Sequence, residues 1–139
     1  MILITDELRA RLLANGAADT ETDHAPVVKL FDPAGPAIWL LTELDVDGDT
    51  LFGLCDLGFG FPELGSVSLA ELESIKGPLG LGIERDLYFI ARCPLSVYAE
   101  AARSAGQITE AERLLRQAAE ALAKSHSELP PDAAEPERR

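Results

Sequence analysis

A chain of 139 residues, 47% apolar and 26% charged, is long enough for one packed core and has the composition of a globular domain. Its net charge of −12 argues against direct nucleic-acid binding, because phosphate contacts need basic side chains. The N-terminal residues lack the basic and apolar regions of a signal peptide, and no run reaches the ~18 apolar residues of a membrane helix, so we expect a cytoplasmic protein without membrane contact.

The first half of the chain predicts one helix followed by three strands. Thr5 is a suitable N-cap for a helix that ends at Asn15-Gly16. Apolar and β-branched residues then predict strands at residues 26–32, 38–45 and 50–57. The last two runs flank Asp47-Gly48, the dipeptide most typical of a tight hairpin turn. We therefore expect residues 38–57 to form an antiparallel hairpin.

A two-residue turn at Asp47-Gly48 predicts the hairpin register. In that register Leu41 faces Leu54, Glu43 faces Phe52 and Trp39 faces Asp56. One face is then nearly all apolar, and it comprises Ile38, Leu40, Leu44, Leu51, Cys55 and Leu57. The other face is interrupted by Glu43 and Asp56 and is expected to be half covered by a helix. Because these two carboxylates are four residues apart along the strand, we expect about 13 Å between them.

The second half predicts one more strand and three helices. A glycine-punctuated loop at residues 58–65 precedes the capping box Ser68–Glu71, which predicts a short helix. The further elements are a strand at 86–91, a helix from Pro94 to about Ser104, and a helix at about 110–125 opened by a capping box at Thr109. We expect a single α+β domain over residues 1–127, with a central antiparallel sheet of about four strands, helices packed on it and a C-terminal helical pair. Residues 128–139 have the composition of a disordered tail.

Most catalytic and cofactor chemistries lack their residues in this sequence. His24 and His126 do not have the spacing of a helical zinc site, and Cys55 and Cys93 form no CxxC motif, so we expect two free thiols. The glycine-rich stretches lack the phosphate-binding motifs. The acids of residues 45–49 fit a hairpin turn better than a calcium loop. We therefore expect no metal and no cofactor.

A carboxylate enzyme is one alternative, a metal-dependent hydrolase or nuclease that would use Glu43, Asp56 and Glu63. Such enzymes need acids that converge on a metal or a scissile bond. The predicted register keeps Glu43 and Asp56 apart, so Glu63 would have to fold between them. An acidic mimic of DNA is a further alternative, which requires the acids to align along one face.

The hypothesis that we favour is that the chain is a non-catalytic protein that binds a protein partner through an acidic surface. Residues 18–63 contain ten acids and only one basic residue, Lys29, which suits a basic partner. Phe59 and Phe61 either pack under their loop or form an exposed patch beside these acids. The candidate binding residues are Glu43, Asp45, Asp47, Asp49, Asp56, Phe59, Phe61 and Glu63.

Five blocks of this sequence resemble an uncharacterised bacterial family, a domain of unknown function. They are residues 26–35, 39–45, 51–58, 62–72 and 77–81. The resemblance covers about residues 1–105 and leaves the last helix outside. It implies a genomic setting, the plasmids and integrative elements of proteobacteria, and therefore an accessory or regulatory protein of a mobile element. It implies no catalytic or binding residue.

Overall fold

The computed structural model describes residues 1–19 and 21–127. Its helices are α1 (Asp6–Gly16), α2 (Leu69–Ser74), α3 (Leu95–Ala105) and α4 (Glu112–Ser127). Its strands are β1 (Val28–Phe31), β2 (Ile38–Leu44), β3 (Thr50–Asp56), β4 (Glu63–Ser68) and β5 (Glu84–Arg85), and one 3-10 turn lies at Pro78–Gly80. The predicted α+β class and the C-terminal helical pair are confirmed. The predicted tail, residues 128–139, lies outside the described residues.

The strands form one antiparallel sheet in the order β4-β3-β2-β1-β5. Strands β1 to β4 are a meander in which each strand pairs with the next one in the chain. Strand β5 has only two residues and adds to the outer edge of β1, through Leu30–Arg85 and Phe31–Glu84. The sheet has five strands where the sequence predicts about four. The predicted strands include β1 to β3, whereas β4, which begins within the loop expected at residues 58–65, and β5 are not predicted.

Helices pack on both faces of the sheet, and the sheet separates two hydrophobic cores. On one face, Leu12 of α1 and the leucines of α2 pack with Trp39 and Leu41. On the other face, Tyr98 of α3 and Leu115 of α4 pack with Leu40 and Leu54 of the sheet. On this second face Ile38, Glu43 and Phe52 are only half-buried, so the face that carries Glu43 and Asp56 is partly covered, as the sequence predicts.

A β-bulge at Thr42 changes the register along the hairpin. Near the turn the predicted pairs are correct, with Glu43 opposite Phe52. Beyond Thr42 the ladder shifts by one residue, so that Trp39 faces Cys55 and not Asp56. The shift places Trp39 and Leu41 in the same core as Leu44, and the predicted division of side chains between the faces is therefore wrong.

Two hydrogen bonds of Thr42, one within the hairpin and one to α1, hold this bulge in place. Thr42 is buried, and its hydroxyl donates to the carbonyl of Phe52 (3.3 Å). Its own carbonyl accepts a hydrogen bond from the Asn15 side-chain amide at the end of α1 (3.0 Å). The bulge thus depends on a helix that lies 27 residues away in the chain. The residues of the two strands alone do not predict that contact.

The hairpin turn is displaced by one residue from its predicted position. The backbone N–H of Gly48 donates to the carbonyl of Asp45 (2.9 Å), so Val46 and Asp47 occupy the two central positions. Gly48 follows them with a positive φ of 75°, which glycine adopts without steric cost. Outside this turn the N–H of Asp45 donates to Thr50, and the predicted hairpin itself is confirmed.

The predicted strand at residues 86–91 is wrong, because the chain leaves the sheet at Asp86. The Asp86 N–H donates to the carbonyl of Lys29, and the Asp86 carboxylate then accepts from the N–H of Tyr88 (2.9 Å). This aspartate turn ends the pairing after β5. Phe89 packs against Tyr98, with 6.4 Å between the ring centroids, whereas Leu87, Tyr88 and Ile90 are exposed.

The predicted helix caps are present at α1 and α2. The Thr5 hydroxyl accepts from the N–H of Leu8, and the Ser68 hydroxyl accepts from the N–H of Glu71, each at 3.2 Å. Helix α3 ends at Ala105, close to the predicted end at about Ser104, and Gly106 follows it in the left-handed conformation. At Thr109 the hydroxyl accepts from Ala111 and not from Glu112, and α4 begins at Glu112. Within the described ranges, no helix has the length and apolar character needed to cross a bilayer.

Candidate interaction surface

The structure distributes the predicted binding residues between the two ends of β3. Asp45, Asp47 and Asp49 lie at the hairpin turn, before β3 begins. Phe59 and Phe61 lie beyond the other end of the strand, and Glu63 lies beside that end, opposite Cys55. Seven residues of strand separate these groups, a distance of roughly 20 Å. The eight candidates therefore do not form one continuous surface.

The aspartates at the turn build the local structure. Asp47 accepts hydrogen bonds from the Thr50 hydroxyl and from the backbone N–H groups of Thr50 and Asp49, and these bonds lower its pKa. Asp49 accepts from the Ser68 hydroxyl (2.7 Å) and from the N–H of Ala70 (2.8 Å), at the start of α2. These carboxylates therefore shape the turn and attach α2 to it.

The three carboxylates of the enzyme alternative do not converge. Glu43 pairs with Phe52, which is four residues or about 13 Å along β3 from Asp56. Glu63 pairs with Cys55, the residue before Asp56, so its side chain lies on the opposite face of the sheet from Asp56. Within residues 1–19 and 21–127, no group of three or more His, Cys, Asp or Glu side chains could hold a metal ion.

Asp56 is buried, with 3% of its surface exposed, and it connects two loops. One carboxylate oxygen accepts from the N–H of Gly58 and the other from the N–H of Ile108, each at 2.9 Å. The first bond shapes the start of the loop after β3. The second bond holds the connection between α3 and α4. Asp56 therefore connects these two loops and contributes almost no exposed surface.

The loop of residues 57–63, named here the phenylalanine loop, exposes its aromatic rings. Phe59 and Phe61 are each 79% exposed, and Leu57 is 54% exposed. Gly58 has a φ of +93°, and a Cβ there would lie 2.8 Å from the Cβ of Pro36, so the loop packs closely on the β1–β2 turn. Of the two arrangements that the sequence allowed for these rings, the structure has the exposed one.

A hollow of about 290 Å³ lies between this loop and the end of the sheet. Its walls are formed by Cys55, Leu57, Phe59, Phe61 and Glu63. Cys55 lies in β3, whereas Glu63 begins β4 at the neighbouring position. The hollow is thus an apolar site of side-chain size with one carboxylate beside it.

Both cysteine thiols are free, and burial raises the pKa of each. For Cys55 burial is the main cause and the charge of Glu63 the second, and together they raise the pKa to about 11. In a Cys93→Ser variant at pH 8, we expect Cys55 to react with DTNB roughly a hundredfold more slowly than an ordinary thiol, because only the thiolate attacks. Absorbance kinetics measure this rate, with the urea-unfolded chain as the control. Equal rates for the folded and unfolded chains would contradict the expectation.

A larger cleft of about 670 Å³ lies on the α1 side of the molecule. Arg11 and Asn15 of α1 line it together with His24, Pro26 and Phe89. The Nε2 atom of His24 is shielded from solvent and has no hydrogen-bond partner within the described chain. Among the described residues that line this cleft there is no carboxylate, hydroxyl or thiol. No motif in the sequence indicates this cleft.

Comparison with known protein families gives a match. A family model described as "Protein of unknown function (DUF2958)" matches residues 3–109, from the segment before α1 to the connection after α3. Helix α4 lies outside the match. The search of curated proteins and the search of solved structures gave no match.

Proposed function

Because the chain belongs to the DUF2958 family, whose function is unknown, we propose a function from the chemistry of its surface. The protein is a non-catalytic accessory or regulatory protein that binds a protein partner through the phenylalanine loop. The observation that supports this proposal is the exposure of Phe59 and Phe61 beside an apolar hollow. Exposed aromatic side chains that can enter a partner carry much of the energy of protein–protein binding.

The charge of the same region favours a basic partner. Residues 30–75 contain nine carboxylates and no lysine or arginine. This stretch includes the hairpin turn, the phenylalanine loop and α2. A field of one sign steers a partner of the opposite sign and excludes partners of like sign. Together with the resemblance to proteins of plasmids and integrative elements, this charge supports a basic DNA-handling protein of a mobile element as the partner.

Neither alternative function has a comparable observation in its favour. The carboxylate enzyme needs Glu43, Asp56 and Glu63 to converge, whereas these side chains are separated along β3 and between the faces of the sheet. The DNA mimic needs a continuous row of acids. Glu63 is instead separated from the aspartates of the turn by the length of β3, and Asp56, at the same end of β3 as Glu63, is buried.

We expect the double variant Phe59→Ser, Phe61→Ser to lose partner binding by more than about tenfold, because two aromatic anchors are removed. Its melting temperature should stay close to that of the wild type, since both rings are exposed. The matched control is Tyr88→Ser, which removes an aromatic ring that is 90% exposed elsewhere on the surface. Photo-crosslinking from p-benzoylphenylalanine at position 61 or 88, in lysate of the native host, identifies the partner and the surface that contacts it.

Two outcomes would count against this function. If the same crosslinked product forms equally from positions 61 and 88, the phenylalanine loop is excluded as the binding surface. It is also excluded if the double-serine variant, added as a competitor, reduces crosslinking as strongly as the wild type does. Affinity for the purified partner should fall as salt rises, because opposite charges are screened. An affinity that does not change between low and high salt would exclude the basic partner.

A further inference from the structure

The two edges of the sheet are built differently. The β5 edge has two residues, and both are charged, which is how proteins commonly protect an edge strand. The β4 edge has six residues and contains neither proline nor a basic residue. Its register with β3 runs without a bulge from Thr50–Ser68 to Cys55–Glu63. In the described part of the chain no strand lies beyond β4.

The hydrogen bonds next to β4 show which of its backbone groups point outward. The N–H of Leu69 donates to the carbonyl of Asp49 (2.9 Å), one step beyond the Thr50–Ser68 pair. Bonded and non-bonded pairs alternate along an antiparallel ladder. Glu63, Gly65 and Val67 therefore bond to β3, and Leu64 and Ser66 direct their N–H and C=O groups away from the sheet.

We propose that the partner adds an extended, basic segment to β4 as a new strand of this sheet. This inference rests on the proposed function and specifies its mode of binding. The outward groups of Leu64 and Ser66 hydrogen-bond to the added strand. Strand β4 begins at Glu63, which is also part of the wall of the hollow, so an apolar side chain of the added segment enters the hollow between Phe59 and Phe61.

The charge of the region identifies the occupant as a basic segment. Strand β4 and the elements next to it all belong to the stretch of residues 30–75, which has no lysine or arginine. Glu63 lies on β4 itself, and Glu71 and Glu73 lie on α2, which follows directly. A second copy of this chain carries a net charge of −12 and would be repelled. A lysine- or arginine-bearing segment gains attraction at the same edge.

Amide hydrogen exchange on the wild-type protein tests the outward groups directly. The probe is a short peptide in which lysine alternates with valine, and its control is the same peptide with alternate amides N-methylated. We expect the unmodified probe alone to slow exchange at Leu64 and Ser66 by about tenfold or more, because these amides become hydrogen-bonded. Unchanged exchange at both residues would overturn the proposal. The proposal would also be overturned if the free protein were a dimer in which the amides of Leu64 and Ser66 are already protected from exchange. The added strand would then come from a second copy of the chain.

Substitution at Ser66 separates this proposal from the proposed function. Ser66→Pro removes an outward N–H while it leaves the ladder to β3 intact, whereas Ser66→Ala keeps that N–H. We expect the proline variant to lose partner and probe binding by about tenfold or more and the alanine variant to bind as the wild type does. If Ser66→Pro binds normally while the double-serine variant does not, strand addition is wrong and the phenylalanine loop remains the binding surface. If the double-serine variant binds normally and Ser66→Pro does not, the partner binds by strand addition at β4 and the phenylalanine loop is not the binding surface.

Discussion

Gly53→Ala is expected to destabilise the protein by about 3 kcal/mol or more, enough to unfold a domain of marginal stability. Gly53 lies in β3 opposite Leu41, next to the bulge in β2. A Cβ at this position would overlap the carbonyl oxygen of Leu40 and lie 2.7 Å from the Cα of Leu41. These are backbone atoms of the neighbouring strand, so the clash can be relieved only by separating β2 from β3.

Gly65→Ala provides a matched control for this substitution. Gly65 is the partner of Gly53 across the β3–β4 ladder, and a Cβ there has no atom within 4 Å. We expect its free energy of unfolding to stay within about 1 kcal/mol of the wild type. Urea unfolding followed by circular dichroism measures both variants. Equal effects of the two substitutions would show that β2 and β3 are not packed as closely as the bulge requires.

The second large effect is expected for Asp56→Ala, which should lower the free energy of unfolding by about 2–4 kcal/mol. The substitution leaves the buried N–H of Ile108 and the partly buried N–H of Gly58 without their acceptors. A hydrogen bond to a charged acceptor contributes about 1.5–3 kcal/mol, and a buried donor that loses its partner retains its desolvation cost. Because one acceptor oxygen remains, Asp56→Asn should be less severe.

Glu63→Ala is the control for Asp56, since it removes a neighbouring but exposed carboxylate. Its free energy of unfolding should change by less than about 0.5 kcal/mol. Thermal and urea unfolding compare the three variants with the wild type. If Asp56→Ala is as stable as Glu63→Ala, the two hydrogen bonds of Asp56 do not hold the loops together. If it is unstable, a loss of binding in an Asp56 variant reports unfolding and not a lost contact.

The sequence predicts the elements that depend on neighbouring residues. The caps at Thr5 and Ser68, the left-handed Gly106 and the hairpin around Gly48 each need only a few consecutive residues. The fold class follows from the order of these elements. The register beyond Thr42 does not follow, because the bulge depends on the contact between the Thr42 carbonyl and Asn15. Alternation along β2 therefore assigns Trp39 and Leu41 to the wrong core.

Two further differences between the structure and the sequence-based predictions also arise from distant or competing contacts. Residues 86–91 have the composition of a strand, but the Asp86 side chain bonds its own backbone and turns the chain away. Asp56 belongs to an acidic stretch, and it is buried because Ile108, 52 residues later, supplies a backbone N–H. The sequence identifies Phe59 and Phe61 as candidates, whereas their exposure and the hollow beside them require the packed structure.

The strand order also has a consequence for the kinetics of folding. Each of the first four strands pairs with its neighbour in the chain, so the meander closes only short loops, and short loops cost little entropy to close. We therefore expect the hairpin at residues 38–56 to form early in folding and its flanking strands to pair with it afterwards. Strand β5 and the α3–α4 pair return from far along the chain and should dock last. Unfolding should begin with the same elements, which leaves the hairpin, with β4 beside it, formed for longest.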